Sequence, residues 1–336
     1  MKWAVIAFVL LALWYLRERG HRKTRAMSGG LHEDIVLPHE AEFELHHNSL
    51  SLCSKKIRVC LAELGVDYKS HHIDLIETGS YENISRHFLA VNPGGTVPVL
   101  VHNGHPIYES HEQIRYAAEH SPRPSGSKRP LKPNRSEDEA RMQMWIDRTS
   151  LLGDDPISDS NKSAANAVPG LTIPLFASMI IDIPYHRIFE GVLFHRLKIR
   201  PLLFLAMKLR GLAGLKGGPP AKIIARSSRD MENHLDELEG ALERGGGPWI
   251  FGDEFTLADV GWVPIFERLA EADSLHCFLG GELRPRCSAY WAALRCRPSY
   301  QTAVLDQAHE TVNRGTARLR AAKQADPQLR AALEPL

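Results

Sequence analysis

No charge imbalance, metal-ligand spacing or cysteine framework marks this 336-residue sequence. With 41 basic and 40 acidic residues the formal net charge is +1, so no global charge points to a nucleic-acid partner. Five cysteines (Cys53, Cys60, Cys277, Cys287, Cys296) contain no CxxC pair. Their odd number and wide spacing do not suit a disulfide framework and fit a reducing compartment. The histidines include no HExxH and no Cys/His ligand set, so no metal site is read. His46-His47 and His71-His72 fall on predicted strands, where neighbouring side chains point to opposite faces.

A span-length apolar run is also missing. Trp3 to Leu16 is apolar throughout, but its fourteen residues are short of the ~20 usual for a membrane span. It lacks the polar face of a soluble-domain helix and the small-residue cleavage site of a secretory signal. Trp3, Trp14 and Tyr15 stand at its ends, and Arg17, Arg19, Arg22, Lys23 and Arg25 follow. Residues 1–16 are therefore expected to be an uncleaved, single-pass membrane anchor with the remainder on the cytoplasmic side. Residues 17–41 read as a linker.

The first folded unit spans residues 42–120, in the order β-α-β-α-β-β-α. Phe43 to His47 reads as a strand, and the hydroxyl-rich turn Asn48 to Ser54 leads into a helix that ends at Gly65. Cys53 thus sits at a helix N-terminus, where unpaired amides, the helix dipole, Lys55 and Lys56 favour an anion. That pattern makes Cys53 a candidate nucleophile with a lowered pKa; the other reading is an inert turn cysteine. Asn103-Gly104 is a hairpin signal between two short strands. Residues 121–136 are Pro- and Ser-rich and read as an interdomain linker.

Residues 137–325 read as all-helical. Thr256-Leu257-Ala258-Asp259 matches a capping box with Asp in the last place. Within this half, 155–229 mixes apolar runs with 11 Lys or Arg against 4 Asp or Glu, and reads as an insert. It either lies on an anionic membrane surface or packs on its own domain.

Four motifs in order carry a family resemblance: Ser51-Leu52-Cys53-Ser54, Asn92-Pro93-Gly94-Gly95-Thr96-Val97-Pro98, Glu109-Ser110, and Gly252-Asp253 with Thr256 to Asp259. The chain resembles the glutathione transferases, and most of all the zeta class and the glutathione-dependent reductive dehalogenases of chlorinated hydroquinones. The long insert is similar to one in the ganglioside-induced differentiation-associated proteins. The resemblance implies a thioredoxin-like α/β N-terminal domain and an all-α C-terminal domain, glutathione as cofactor, and a small electrophile as substrate. It implies a cis Val97-Pro98 peptide whose Val97 backbone pairs with glutathione. It also implies that Glu109 and Ser110 hold the γ-glutamyl group, that Ser51 is the activating hydroxyl and that Cys53 is a second thiol. It admits a homodimer. A membrane-tethered binding module of the same fold without chemistry is the alternative.

Overall fold

The computed structural model describes residues 2–121, 131–153 and 155–334. Most of the predicted interdomain linker, 122–130, lies outside the described residues. The N-terminal half contains β1 (Gly30–Leu31), β2 (Phe43–His47), β3 (Lys69–His72), β4 (Val99–His102) and β5 (His105–Tyr108), with helices α1 (Lys2–His21), α2 (Leu52–Leu64), α3 (Arg86–Val91) and α4 (Ser110–His120). The sheet order is β1-β5-β4-β2-β3; β2 and β3 are parallel and the other pairs antiparallel.

Alternation along the strands builds two cores. Leu45, Leu100 and Ile107 face α2 and α4, where they meet Ile57, Leu61, Ile114 and Ala117. Val99, Val101 and Tyr108 face the other way, toward Phe88 of α3. The Asn103-Gly104 turn has positive φ at both residues (49° and 85°), as a tight hairpin requires. The paired histidines divide between faces as expected. His46 stacks on His71 at 4.4 Å, and His71 Nε2 lies 2.7 Å from a Glu44 carboxylate oxygen.

The C-terminal half is helical: α5 (Glu139–Arg148), α6 (Ala164–Met179), α7 (Tyr185–Phe194), α8 (Ile199–Arg210), α9 (Gly218–Gly245), α10 (Leu257–Val260), α11 (Trp262–Glu271), α12 (Leu275–Leu279), α13 (Pro285–Arg295), α14 (Pro298–Tyr300), α15 (Glu310–Ala325) and α16 (Pro327–Leu333). The capping box at α10 forms as the sequence indicates: Thr256 accepts from the Ala258 amide and Asp259 from the Thr256 amide.

Two segments depart from the sequence reading. The stretch 17–41 is not a bare linker. α1 runs on to His21, and Gly30–Leu31 pairs with β5, adding a strand that two residues are too few to signal by alternation. The stretch 155–229 is not one insert. α6 is buried along nearly its whole length and packs on α9, α11 and α15, which its all-round apolar sequence explains. The segment Ala164–Asp182 is long and apolar enough to cross a membrane, yet 83% of its apolar window is buried inside the protein. Only the α7–α8 hairpin is added outside this core. Its inner residues Ile188, Phe194, Phe204 and Met207 join Ile76, Tyr81 and Ile84, which precede α3. The packed alternative therefore holds for the inner side of the hairpin.

Candidate active site

The turn that carries Ser51 and Cys53 is held from three sides. Asn48 Oδ1 accepts from the Leu50 and Ser51 amides at 2.9 and 3.3 Å, and Asn48 Nδ2 donates to Ile73 O and Thr78 Oγ1. The buried Arg58 guanidinium donates to Asn48 O at 3.1 Å and to Ala303 O at 2.8 Å. Arg268 of α11 donates to Leu50 O. Ser51 is the N-cap of α2 and accepts from the Ser54 amide at 3.2 Å. Because it accepts there, its own O–H remains free to donate. Ser49 is 8% exposed and Ser54 is fully buried, with the Ser54 oxygen accepting from the Asn48 amide. Of the three serines, Ser51 is the half-buried one.

Across from this turn, the Val97-Pro98 peptide is cis. Gln113 of α4, fully buried, donates through Nε2 to Pro98 O (3.0 Å) and Ile107 O (2.8 Å), tying the start of β4 to the end of β5. Asn92 closes the preceding loop by donating to Thr96 O and accepting from the Gly94 amide. β5 then leads into Glu109, which has φ 65° and ψ 121°, a strained backbone for a residue with a Cβ. Its carboxylate is exposed, whereas Ser110, the first residue of α4, is buried. Such strain persists where the surroundings over-determine it, and it collects at ligand sites. The α4 N-terminus presents free amides beside Ser110, a suitable seat for a carboxylate.

Ser110, Lys56 and Glu109 are the polar groups that act on the Cys53 thiol. The sequence-predicted residues Cys53, Glu109 and Ser110 are thus brought together by α2 and α4. The expected lowered pKa of Cys53 is overturned. Burial pushes the thiol up by more than Lys56 and Ser110 bring it down. The lysines explain part of the difference, because both belong to the domain interface. Lys55 pairs with Glu271 of α11, which Arg268 also holds. Lys56 Nζ donates to Thr149 O and Ser150 Oγ, beyond α5. Burial lowers Lys56 to about 8, so its charge is itself only partly retained above neutral pH. Cys60 is fully buried, with its sulfur 3.7 Å from Ile114 O and its thiol pushed up by burial.

The sequence reading missed one wall of the site. Arg25 N donates to Pro93 O at 2.9 Å, and Thr24 packs on Gly95. A side chain at Gly29 would come within 3.1 Å of Glu109 Cγ. Residues 24–29 therefore run along the loop before Pro98 and onto Glu109. A glycine next to a two-residue strand was the only signal in the sequence. Gln113 was also missed: a glutamine on the inner face of an amphipathic helix was the available sign.

A thioredoxin-like domain with a cis-proline opposite a helix-terminal cysteine, joined to a helical domain, defines a two-domain protein of the thiol-binding type. Residues 50–120 match the model of the glutathione S-transferase N-terminal domain, and residues 221–296 match that of the C-terminal domain. Both domains of a glutathione S-transferase are thus recognised in this chain, and its relatives are enzymes of that superfamily, which use glutathione. It is 28% identical over 267 residues to the glutathione S-transferase TCHQD of Arabidopsis thaliana, covering 78% of this chain and 89% of the relative. It is 26% identical to a 2,5-dichlorohydroquinone reductive dechlorinase of Sphingobium indicum, covering 79% of this chain and 83% of the relative. Its fold is similar to that of the beta-etherase LigF of a Sphingobium species, with a TM-score of 0.60 at 18% identity over 79% of this chain and all of LigF.

Proposed function

We propose that the chain adds glutathione to a small electrophile and then, through Cys53, reduces the adduct. The supporting observation is that Ser110, Glu109 and Lys56 all act on the Cys53 thiol, so a protein thiol stands at the edge of the proposed glutathione site. In this reading Glu109 accepts from the γ-glutamyl ammonium, Ser110 and the α4 amides hold its carboxylate, and the Val97 backbone pairs with the cysteinyl residue. Ser51 donates to the glutathione sulfur and favours its thiolate.

For a substrate R–X, the first step forms GS–R and releases HX. Cys53 then attacks the sulfur of the adduct, giving the Cys53–glutathione disulfide and R–H. A second glutathione restores the Cys53 thiol and leaves as glutathione disulfide. Two glutathiones are oxidised as one carbon–halogen bond becomes carbon–hydrogen. Two features support this reading over simple transfer: the cysteine two residues after the serine, and relatives named as reductive dechlorinases. A binding module without chemistry leaves the Cys53 thiol without a role.

The test is Cys53→Ser, assayed with glutathione and a chlorinated hydroquinone. The variant is expected to bind glutathione and form the adduct but not the reduced product, and mass spectrometry of the parent should find glutathione on Cys53. Full reduction by the variant refutes the thiol step and leaves a serine-type transferase.

α1 we assign as the membrane anchor, with both domains on the cytoplasmic side. None of its described residues is buried, and Trp3, Phe8, Leu10, Leu11 and Leu13 are all more than half exposed.

A further inference from the structure

The α7–α8 hairpin has a second, outward face. Along α7, Tyr185, Phe189 and Leu193 recur at i, i+4 and i+8 and are 47%, 52% and 43% exposed. They lie opposite Ile188 and Phe194, which are buried against the preceding core. α8 repeats the arrangement, with Phe204 and Met207 inward and Leu202, Leu203 and Leu209 outward. Between the helices Leu197 is 57% exposed, and Ile199, which opens α8, is 73% exposed. Both helices therefore carry an apolar stripe on each side, and only one of the two is used within the protein.

Such exposure is not general on this surface. Outside α1 and residues 181–209, the exposed large apolar side chains among the described residues are Leu31, Val36, Met144, Leu151, Leu283 and Leu305, scattered singly. Concentrated apolar exposure on a protein that is otherwise well covered marks an interaction surface.

Charge identifies the partner. The hairpin carries Arg187, Arg196, Lys198, Arg200, Lys208 and Arg210. Lys198 and Lys208 reach back to the backbone carbonyls of Leu193 and Ile181, and Lys208 also lies 4.9 Å from the Tyr185 ring. Arg196 and Arg210 form no ion pair among the described residues. Acidic groups on and against the hairpin are already engaged: Glu190 with Arg22 and Arg187, Asp182 with Arg318, Glu77 with Arg200. A second copy of the chain across a two-fold axis would set this basic patch against itself. A layer of anionic headgroups over acyl chains meets both the apolar stripe and the unpaired arginines.

Position supports the same partner. The end of α1 rests on α7, with Trp14 and Tyr15 at 6.1 and 5.8 Å from the Phe194 ring, and Arg22 at 2.6 Å from Glu190. α1 thus ends against the hairpin, at the Phe194 side.

The geometry points to the outer face of α7–α8 as a lipid-seating surface, which lies in the headgroup layer of an anionic membrane as a second contact besides α1. The inner face of the hairpin packs on Ile76, Tyr81 and Ile84, so this contact fixes how the thioredoxin-like domain is turned relative to the bilayer.

The experiment uses the full-length protein in phosphatidylcholine vesicles containing phosphatidylserine. A photoreactive benzoylphenylalanine replaces Leu203 in the hairpin, Leu10 in α1 or Leu283 as an exposed control. Irradiation is expected to attach lipid at positions 203 and 10 and not at 283, with the 203 adduct falling severalfold when Arg196→Glu and Arg210→Glu are combined. Lipid at position 10 but not at 203 overturns the inference and leaves the anchor standing. A protein–protein adduct at 203 assigns the surface to a protein and also overturns it. Lipid at neither position refutes the hairpin and the anchor together. Neither result bears on the chemistry at Cys53, which the reduction assay tests separately.

Discussion

Replacing Glu109 by glycine separates what its backbone costs from what its carboxylate contributes. The residue is held at φ 65° and ψ 121°, where a Cβ crowds the neighbouring carbonyls. Strain of this kind costs about 1–3 kcal/mol. Glycine removes it but adds about 0.5–1 kcal/mol of unfolded-state entropy. The net gain for Glu109→Gly is therefore about 1 kcal/mol, the centre of a range of about 0–2.5 kcal/mol. With about 2 cal/mol/K of unfolding entropy per residue, a chain of this size converts that to a rise in Tm of about 1 °C. Glu109→Ala keeps the strain and should show no such rise. Both variants lose a charge-assisted hydrogen bond of about 1.5–3 kcal/mol to the γ-glutamyl ammonium, so both should bind glutathione at least tenfold more weakly. Thermal unfolding without glutathione and calorimetric titration with it, on the same samples, read the two effects. A Tm that falls in Glu109→Gly, or equals that of Glu109→Ala, refutes the strain argument. Parental affinity in either variant refutes the ligand role.

Further outcomes concern Lys56, Asp259 and α1. Lys56→Met should slow alkylation of Cys53 by iodoacetamide at pH 7.5 severalfold, because Lys56 is the cation that most favours the thiolate; an unchanged rate rejects that role. Lys56 itself ionises at about 8 in the folded chain, below its usual value, so the unfolded chain binds more protons between pH 8 and 10. Its contribution to stability therefore rises over that window, and Lys56→Met should flatten the rise in urea midpoints. Asp259→Ala should cost about 3 kcal/mol or more, since the carboxylate accepts from the Ile250 and Thr256 amides and from Tyr290 Oη at 2.9–3.1 Å. Asp259 is pushed up to about 6 by burial, so its own contribution is full below about pH 4 and is lost as pH rises through 6. The destabilisation by Asp259→Ala should accordingly be larger at pH 4 than at pH 7, and the reverse order refutes the assignment. Finally, a carbonate wash should leave the full-length protein with membranes, whereas release of the intact chain counts against α1 as an anchor.

What the sequence determined by itself was whatever acts over a few residues. Ser51 caps α2 and Gly65 closes it in the left-handed conformation at φ 64°. Asn103-Gly104 makes its hairpin, and Thr256 with Asp259 makes its capping box. The caps of α2 and the hairpin fixed the order of elements in the first domain and set Cys53 in the first turn of a helix. The alternation of His46-His47 and His71-His72 was equally local, because successive strand residues must point to opposite faces.

The tertiary structure alone decided where the charges went. Lys55 and Lys56 read as cations beside Cys53, but their partners, Glu271 and Thr149–Ser150, lie 216 and 93–94 residues away in the other domain. The same burial that draws them there raises the Cys53 thiol, because desolvation depends on everything packed around a group and on nothing written beside it. Gly30–Leu31 became a strand only because the edge of β5 was open to it. Residues 155–229 separated into core and periphery for a similar reason. α6 has neighbours on every side, whereas α7 and α8 have them on one. Composition records how apolar a helix is, and only packing decides which of its faces is covered.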